Sequence, residues 1–104
     1  MTKPKRNKFL TKGMEAVLMD LRALEPAGEI AEIVCEGNEC YVGNRQTNWQ
    51  VVYRLLRLCL LKHEDEGRGY HRFEPNSDTY KVLDDPNYEP GIIEVLRTGK
   101  PVVR

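Results

Sequence analysis

One stretch, residues 44–76, constrains the fold more than any other. Thr47-Asn48-Trp49-Gln50 follows the capping-box pattern, with Thr at the N-cap and Gln three residues on, and predicts a helix running to about Leu60. At about 100° per residue, Val51, Val52, Leu55, Leu58 and Cys59 share one side of that helix. Gln50, Tyr53, Arg54 and Arg57 share the other, which carries no acid. Directly afterwards, 60–64 and 70–74 read as two strands joined through Asp65-Glu66-Gly67-Arg68-Gly69, whose glycines supply the positive φ a hairpin turn needs. A helix delivered straight into a hairpin points to an α+β domain.

The chain before this stretch supplies its packing partners. Met14, Val17, Leu18, Leu21 and Leu24 recur at steps of three and four and predict a helix over 11–24, capped by Thr11 and stopped by Pro26 and Gly28. A second, shorter helix is expected over 29–36, with Ile30, Ile33 and Val34 on one side and Glu29, Glu32 and Glu36 on the other. Gly37-Asn38 suits its C-cap. A strand from Ile30 to Cys35 is the competing reading, because Ile, Val and Cys tolerate sheet well. Residues 39–46 read as the connection, with Tyr41 and Val42 dipping toward the core and a turn at Gly43-Asn44.

After the hairpin, Pro75-Asn76-Ser77-Asp78 reads as a turn and Thr79 to Leu83 as β-favouring, suited to a third strand. Asp84 to Pro90 is a linker, and Pro90 to Gly99 has the proline-first, glycine-last asymmetry of a short helix. A helix that short needs a surface to dock on, in its own domain or in a second subunit, so a homodimer is one expectation. The chain thus divides into a flexible basic arm (1–10), a folded domain (11–83), and a linker with a docking helix (84–104).

Charge is balanced overall, with 16 Lys plus Arg against 16 Asp plus Glu, so the chain is not a general polyanion coat. Its distribution is uneven. Lys3, Lys5, Arg6, Lys8 and Lys12 open the chain without an acid. All charges from Glu25 to Glu39 are negative, and all from Cys40 to His63 are positive. Such segregation suits one polyanion-facing surface with an acidic far side, although short charge blocks also arise without function. No apolar run reaches the ~20 residues of a membrane span. The basic start lacks the apolar segment of a secretory signal, and three cysteines do not make a secreted disulfide framework, so a protein of the cytoplasm, or of the nucleus where the cell has one, is expected.

The segment from Val52-Tyr53-Arg54-Leu55-Leu56-Arg57-Leu58-Cys59-Leu60-Leu61-Lys62 through Gly67-Arg68-Gly69 to Phe73 resembles the recognition helix and wing of winged helix-turn-helix DNA-binding domains. With the two upstream helices the resemblance covers 11–75, or 11–83 with the third strand. It implies a small winged-helix-like fold of three helices, a β-hairpin wing and a short C-terminal helix. It also implies a regulator or accessory factor on double-stranded DNA. Arg45, Gln46, Asn48 and Gln50 would lie at the helix end entering the major groove, where arginine grips guanine and Gln or Asn grips adenine. Tyr53, Arg54 and Arg57 would lie nearer the backbone, and Arg68 at the wing tip would reach a minor groove or a phosphate. Glu64, Asp65 and Glu66 beside that tip would repel DNA and suit a protein partner instead. The same fold used as a protein-interaction adaptor is therefore the alternative.

Other chemistries find little footing. Cys35 and Cys40 with His63 and His71 have the residue types of a zinc site but not its usual close pairs, and Cys35 equally suits a buried apolar position. No glycine-rich phosphate loop, nucleophile with a nearby base, or His-Glu metal signature is present, so neither an enzyme nor a cofactor is expected.

Overall fold

The computed structural model describes residues 6–67, 69–91, 94–95 and 101–102. Helix α1 (Lys12–Leu24) leads into three short strands, β1 (Ile33–Glu36), β2 (Glu39–Val42) and β3 (Arg45–Thr47). Helix α2 (Trp49–Arg57), β4 (Leu61–Gly67), β5 (Tyr70–Pro75) and the one-turn α3 (Lys81–Asp84) follow. Glu94–Val95 (β6) and Pro101–Val102 (β7) form a separate antiparallel pair. The main sheet is five-stranded and antiparallel, in the order β3-β2-β1-β5-β4. The domain is α+β, as the sequence indicates.

Both long helices cover one face of this sheet. Met14, Val17, Leu18 and Leu21 of α1 and Val52, Leu55 and Leu56 of α2 meet Ile33, Cys35, Cys40, Val42, Leu61 and Phe73 in a single core. Thr11 caps α1 as expected, its Oγ1 accepting from the Met14 amide at 3.2 Å. No helix among the described residues is long and apolar enough to cross a membrane.

The expected second helix is strand. Over 33–36 burial alternates, with Ile33 and Cys35 inward and Glu36 out, and Ile33 faces Val42 on one side and Phe73 on the other. Ile30, which completes the helical stripe on paper, is 75 % exposed. Gly37-Asn38, read as a C-cap, is the two-residue turn of the β1–β2 hairpin, with Gly37 at φ 61°. Both structures need the same left-handed backbone, so the residue type does not separate them. Residues 39–47 are likewise two strands, turning at Gly43-Asn44 as expected. A Cβ on Gly43 would come 3.0 Å from Leu24 Cδ2, so glycine lets this turn nest against the end of α1. Val42 is buried as expected, whereas Tyr41 is exposed.

Cys35 and Cys40 stand opposite each other across β1 and β2 and are joined as a disulfide, buried in the core. The odd cysteine count obscures this bond. Cys59 is the remaining thiol.

Two further expectations give way. Thr79 to Leu83 is not a third strand but a turn leading into α3. Thr79, 0 % exposed, donates from Oγ1 to the Leu60 carbonyl (2.6 Å) and accepts from the Asn76 amide (2.6 Å). Asn76 Nδ2 in turn donates to the Cys59 carbonyl at 2.7 Å. These bonds fix the turn beneath the α2–β4 junction and override the β-branched composition. Within the expected helix 90–99, Glu94–Val95 is extended and paired; residues 92–93 and 96–99 lie outside the described residues.

The arm is shorter than expected. Residues 1–5 lie outside the described residues, but Asn7 (2 % exposed) and Leu10 are buried. Asn7 Nδ2 donates to the carbonyls of Tyr88 (2.8 Å) and Asp85 (3.2 Å), strapping the chain start to the turn after α3.

Candidate nucleic-acid interface

Asn48, not Thr47, caps α2: its side chain accepts from the Val51 amide at 3.1 Å, while Thr47 closes β3. The helix therefore starts one residue later than the capping-box pattern suggests. Trp49 anchors it. The indole N–H donates to the Gly37 carbonyl at 2.8 Å, and the ring packs edge-on against His71 and Phe73 and stacks on Tyr53. His63 and His71 lie in this half-buried cluster rather than on the outer surface, with His63 Nε2 2.9 Å from His71 Nδ1. His63 also stacks on Phe73. His71 stands opposite Cys35 across β1 and β5, but Cys35 is bonded to Cys40, and no group of three possible metal ligands occurs among the described residues.

The C-terminus of α2 is sharply closed. Leu60 N–H donates to the Leu55 carbonyl and Cys59 N–H to the Leu56 carbonyl, the paired bonds of a Schellman motif. Cys59 takes the left-handed conformation this requires, at φ 57°.

With Val52, Leu55 and Leu56 buried, α2 presents Gln50, Arg54 and Arg57 to solvent. Arg6, Arg22, Arg45 and Arg72 each lie within ion-pair distance of a carboxylate, on Glu15, Asp84, Asp20 and Glu32 respectively. Arg54 and Arg57 form no ion pair with any described residue. They project from the last turns of α2, where the partial negative charge of the helix end favours cations.

The other expected contacts are dispersed. Asn48 is committed to its cap, and Arg45 leans toward Asp20 at 3.7 Å. Gln46 pairs in register with Tyr41, on the sheet face away from α2. Tyr53 is half-buried on Trp49. Arg68 lies outside the described residues, as do the side chains of Asp65 and Glu66; Glu64 is exposed. The sheet face away from the helices carries Glu36, Glu39, Glu64, Glu74 and Tyr41 with Lys62 and Arg72, so this mixed but acid-leaning surface and the α2 arginines lie on opposite sides of the sheet.

One feature of the site is absent from any linear pattern. The start of α1 crosses beside the end of α2, and Phe9, Thr11, Met14, Arg54, Arg57 and Leu58 line a hollow of about 300 Å³. The Lys8 ammonium lies 5.4 Å from the centre of the Phe9 ring, outside the residues that line the hollow. The basic run ahead of Thr11 is the only sequence signal that bears on it. Compared with protein families, curated proteins and solved structures, the chain matches none.

Proposed function

We propose that the chain binds double-stranded DNA through the solvent face of α2, as a regulatory or accessory protein. The observation that carries this reading is the pair Arg54 and Arg57, adjacent on one helix face and without carboxylate partners among the described residues. Every other described arginine has one. Guanidinium groups with no carboxylate partner among the described residues suit phosphate oxygens, which accept their fork of N–H donors. Gln50 on the same face is a base-edge contact. The order α2, β4, β5 keeps the helix-then-wing sequence of winged-helix domains, with the β1–β3 meander where that family has its second helix. In this reading Arg68 at the hairpin tip is a further phosphate contact, and Asn48 is a cap rather than a base reader.

Fluorescence anisotropy with a random duplex across a salt series tests this. Each neutralised phosphate contributes a slope of about 0.9 in log Kd against log salt, so Arg54→Ala/Arg57→Ala is expected to reduce the slope by about 1.8. No binding at low salt, or an unchanged slope, sinks the proposal. The adaptor reading rests on the open sheet face, where Tyr41 is exposed among Glu36 and Glu39. A folded protein that ignores duplex DNA would favour it.

A further inference from the structure

We infer that the hollow between α1 and α2 is a binding site for a small amphiphilic carboxylate, and that its occupant competes with DNA for Arg54 and Arg57. The floor is apolar: Met14, almost fully buried, with half-buried Phe9 and Leu58. Thr11 Oγ1 accepts from the Met14 amide and keeps its own O–H as a neutral donor. The charged groups that line the hollow are then the two guanidiniums of Arg54 and Arg57. No described carboxylate lines the hollow.

That combination selects its ligand. About 300 Å³ is the lower end of small-molecule pockets, room for one aromatic ring or a medium-length acyl chain. An uncharged apolar molecule would gain the floor and leave the cations unanswered. A small inorganic anion would meet the cations and leave the floor wet. A carboxylate on an apolar body satisfies both, since its two oxygens match a guanidinium fork. Because Arg54 and Arg57 belong to the proposed DNA face as well, a carboxylate seated between them cancels the charge that holds the duplex. The competition rests on the duplex-binding reading; the carboxylate site itself does not.

Protein labelled with 13C at the methionine methyls reports directly, because Met14 lines the hollow and Met19 is exposed elsewhere on α1. Octanoate, below its micelle concentration, is expected to shift the Met14 signal saturably and leave Met19 in place. Octan-1-ol should bind about tenfold more weakly, and Arg54→Gln/Arg57→Gln should weaken octanoate by a similar factor without affecting octanol. A Met14 signal that ignores octanoate, equal affinity for octanoate and octanol, or Met14 and Met19 moving together would each overturn the site. In the paired experiment, saturating octanoate should raise the duplex Kd to that of the Arg54→Gln/Arg57→Gln protein. Duplex binding that persists with the hollow full refutes the competition. A Met14 response in a protein that binds no duplex removes the DNA reading and leaves the carboxylate site standing.

Discussion

Replacing Cys59 by Gly and, in parallel, by Ala isolates the conformational strain at the end of α2 from the packing of the thiol. Cys59 sits at φ 57°, and its backbone is held there by the Leu60-to-Leu55 (3.2 Å) and Cys59-to-Leu56 (3.0 Å) hydrogen bonds. An L-residue in this region costs roughly 1–2 kcal/mol relative to right-handed backbone, and glycine escapes that cost. Against this, glycine gives the unfolded chain more freedom, which offsets about 0.5–1 kcal/mol. The thiol also packs beside Gly91, where a Cβ would come 3.4 Å from the sulfur. Both variants lose that contact, so it cancels between them. The Gly variant is therefore expected to exceed the Ala variant by about 0–1.5 kcal/mol, with a midpoint worth roughly 3–6 °C in Tm for a domain of this size. Urea unfolding followed by Trp49 fluorescence and by circular dichroism measures the difference. A Gly variant less stable than the Ala variant would mean that residue 59 is not left-handed in solution, and the Schellman closure of α2 would fall with it.

Three further outcomes are expected. Thr79→Val keeps the shape but strands the Leu60 carbonyl and Asn76 amide, and should cost about 2–3 kcal/mol in urea unfolding; a loss under 0.5 kcal/mol would contradict the turn described. Asn48→Ala should cost about 1 kcal/mol and Thr47→Ala clearly less, so equal losses would return the cap to Thr47. Burial raises the Tyr80 phenol above its ordinary value near 10, with Glu25 adding to the rise and Arg22 opposing it. The folded state therefore holds the proton longer than the unfolded chain, and this contribution, complete below about pH 10, is lost as pH rises beyond it. Tyr80→Phe should flatten that part of the stability–pH curve, and an unchanged slope would refute the assignment.

What the sequence disclosed depended on how far each signal reached. Helix α1 was legible because Met14, Val17, Leu18 and Leu21 repeat over a long enough span for the period to be unambiguous. Strand β1 has four residues, too few for alternation to outweigh Ile30, Ile33 and Val34 at helical spacing. Thr79 to Leu83 departs from its β-favouring composition for the opposite reason: its conformation is set by Leu60, nineteen residues away, and not by its own propensities. The exposed face of α2 followed from helical geometry alone, so Gln50, Arg54 and Arg57 were found together. The hollow beside them was not, because Phe9 and Met14 reach Arg57 only through the crossing of two helices. Pairing between Cys35 and Cys40 was hidden until β1 and β2 were recognised as a hairpin, which alone sets them face to face.

The strap made by Asn7 has a consequence for how the protein is made. Its side-chain amide is satisfied by the carbonyls of Asp85 and Tyr88, 78 and 81 positions later. Asn7 is translated 78 and 81 residues before those carbonyls, so although its Oδ1 meets the Phe9 amide locally, its Nδ2 has neither partner until the turn after α3 has been made. Contacts of such long reach repay their loop-closure entropy only after the intervening elements have docked. Asn7 Nδ2 thus serves as a late-closing latch: in a chain that stops short of residue 85, residues 6–10 are expected to stay open to proteases, and their protection should appear only once the turn after α3 is present.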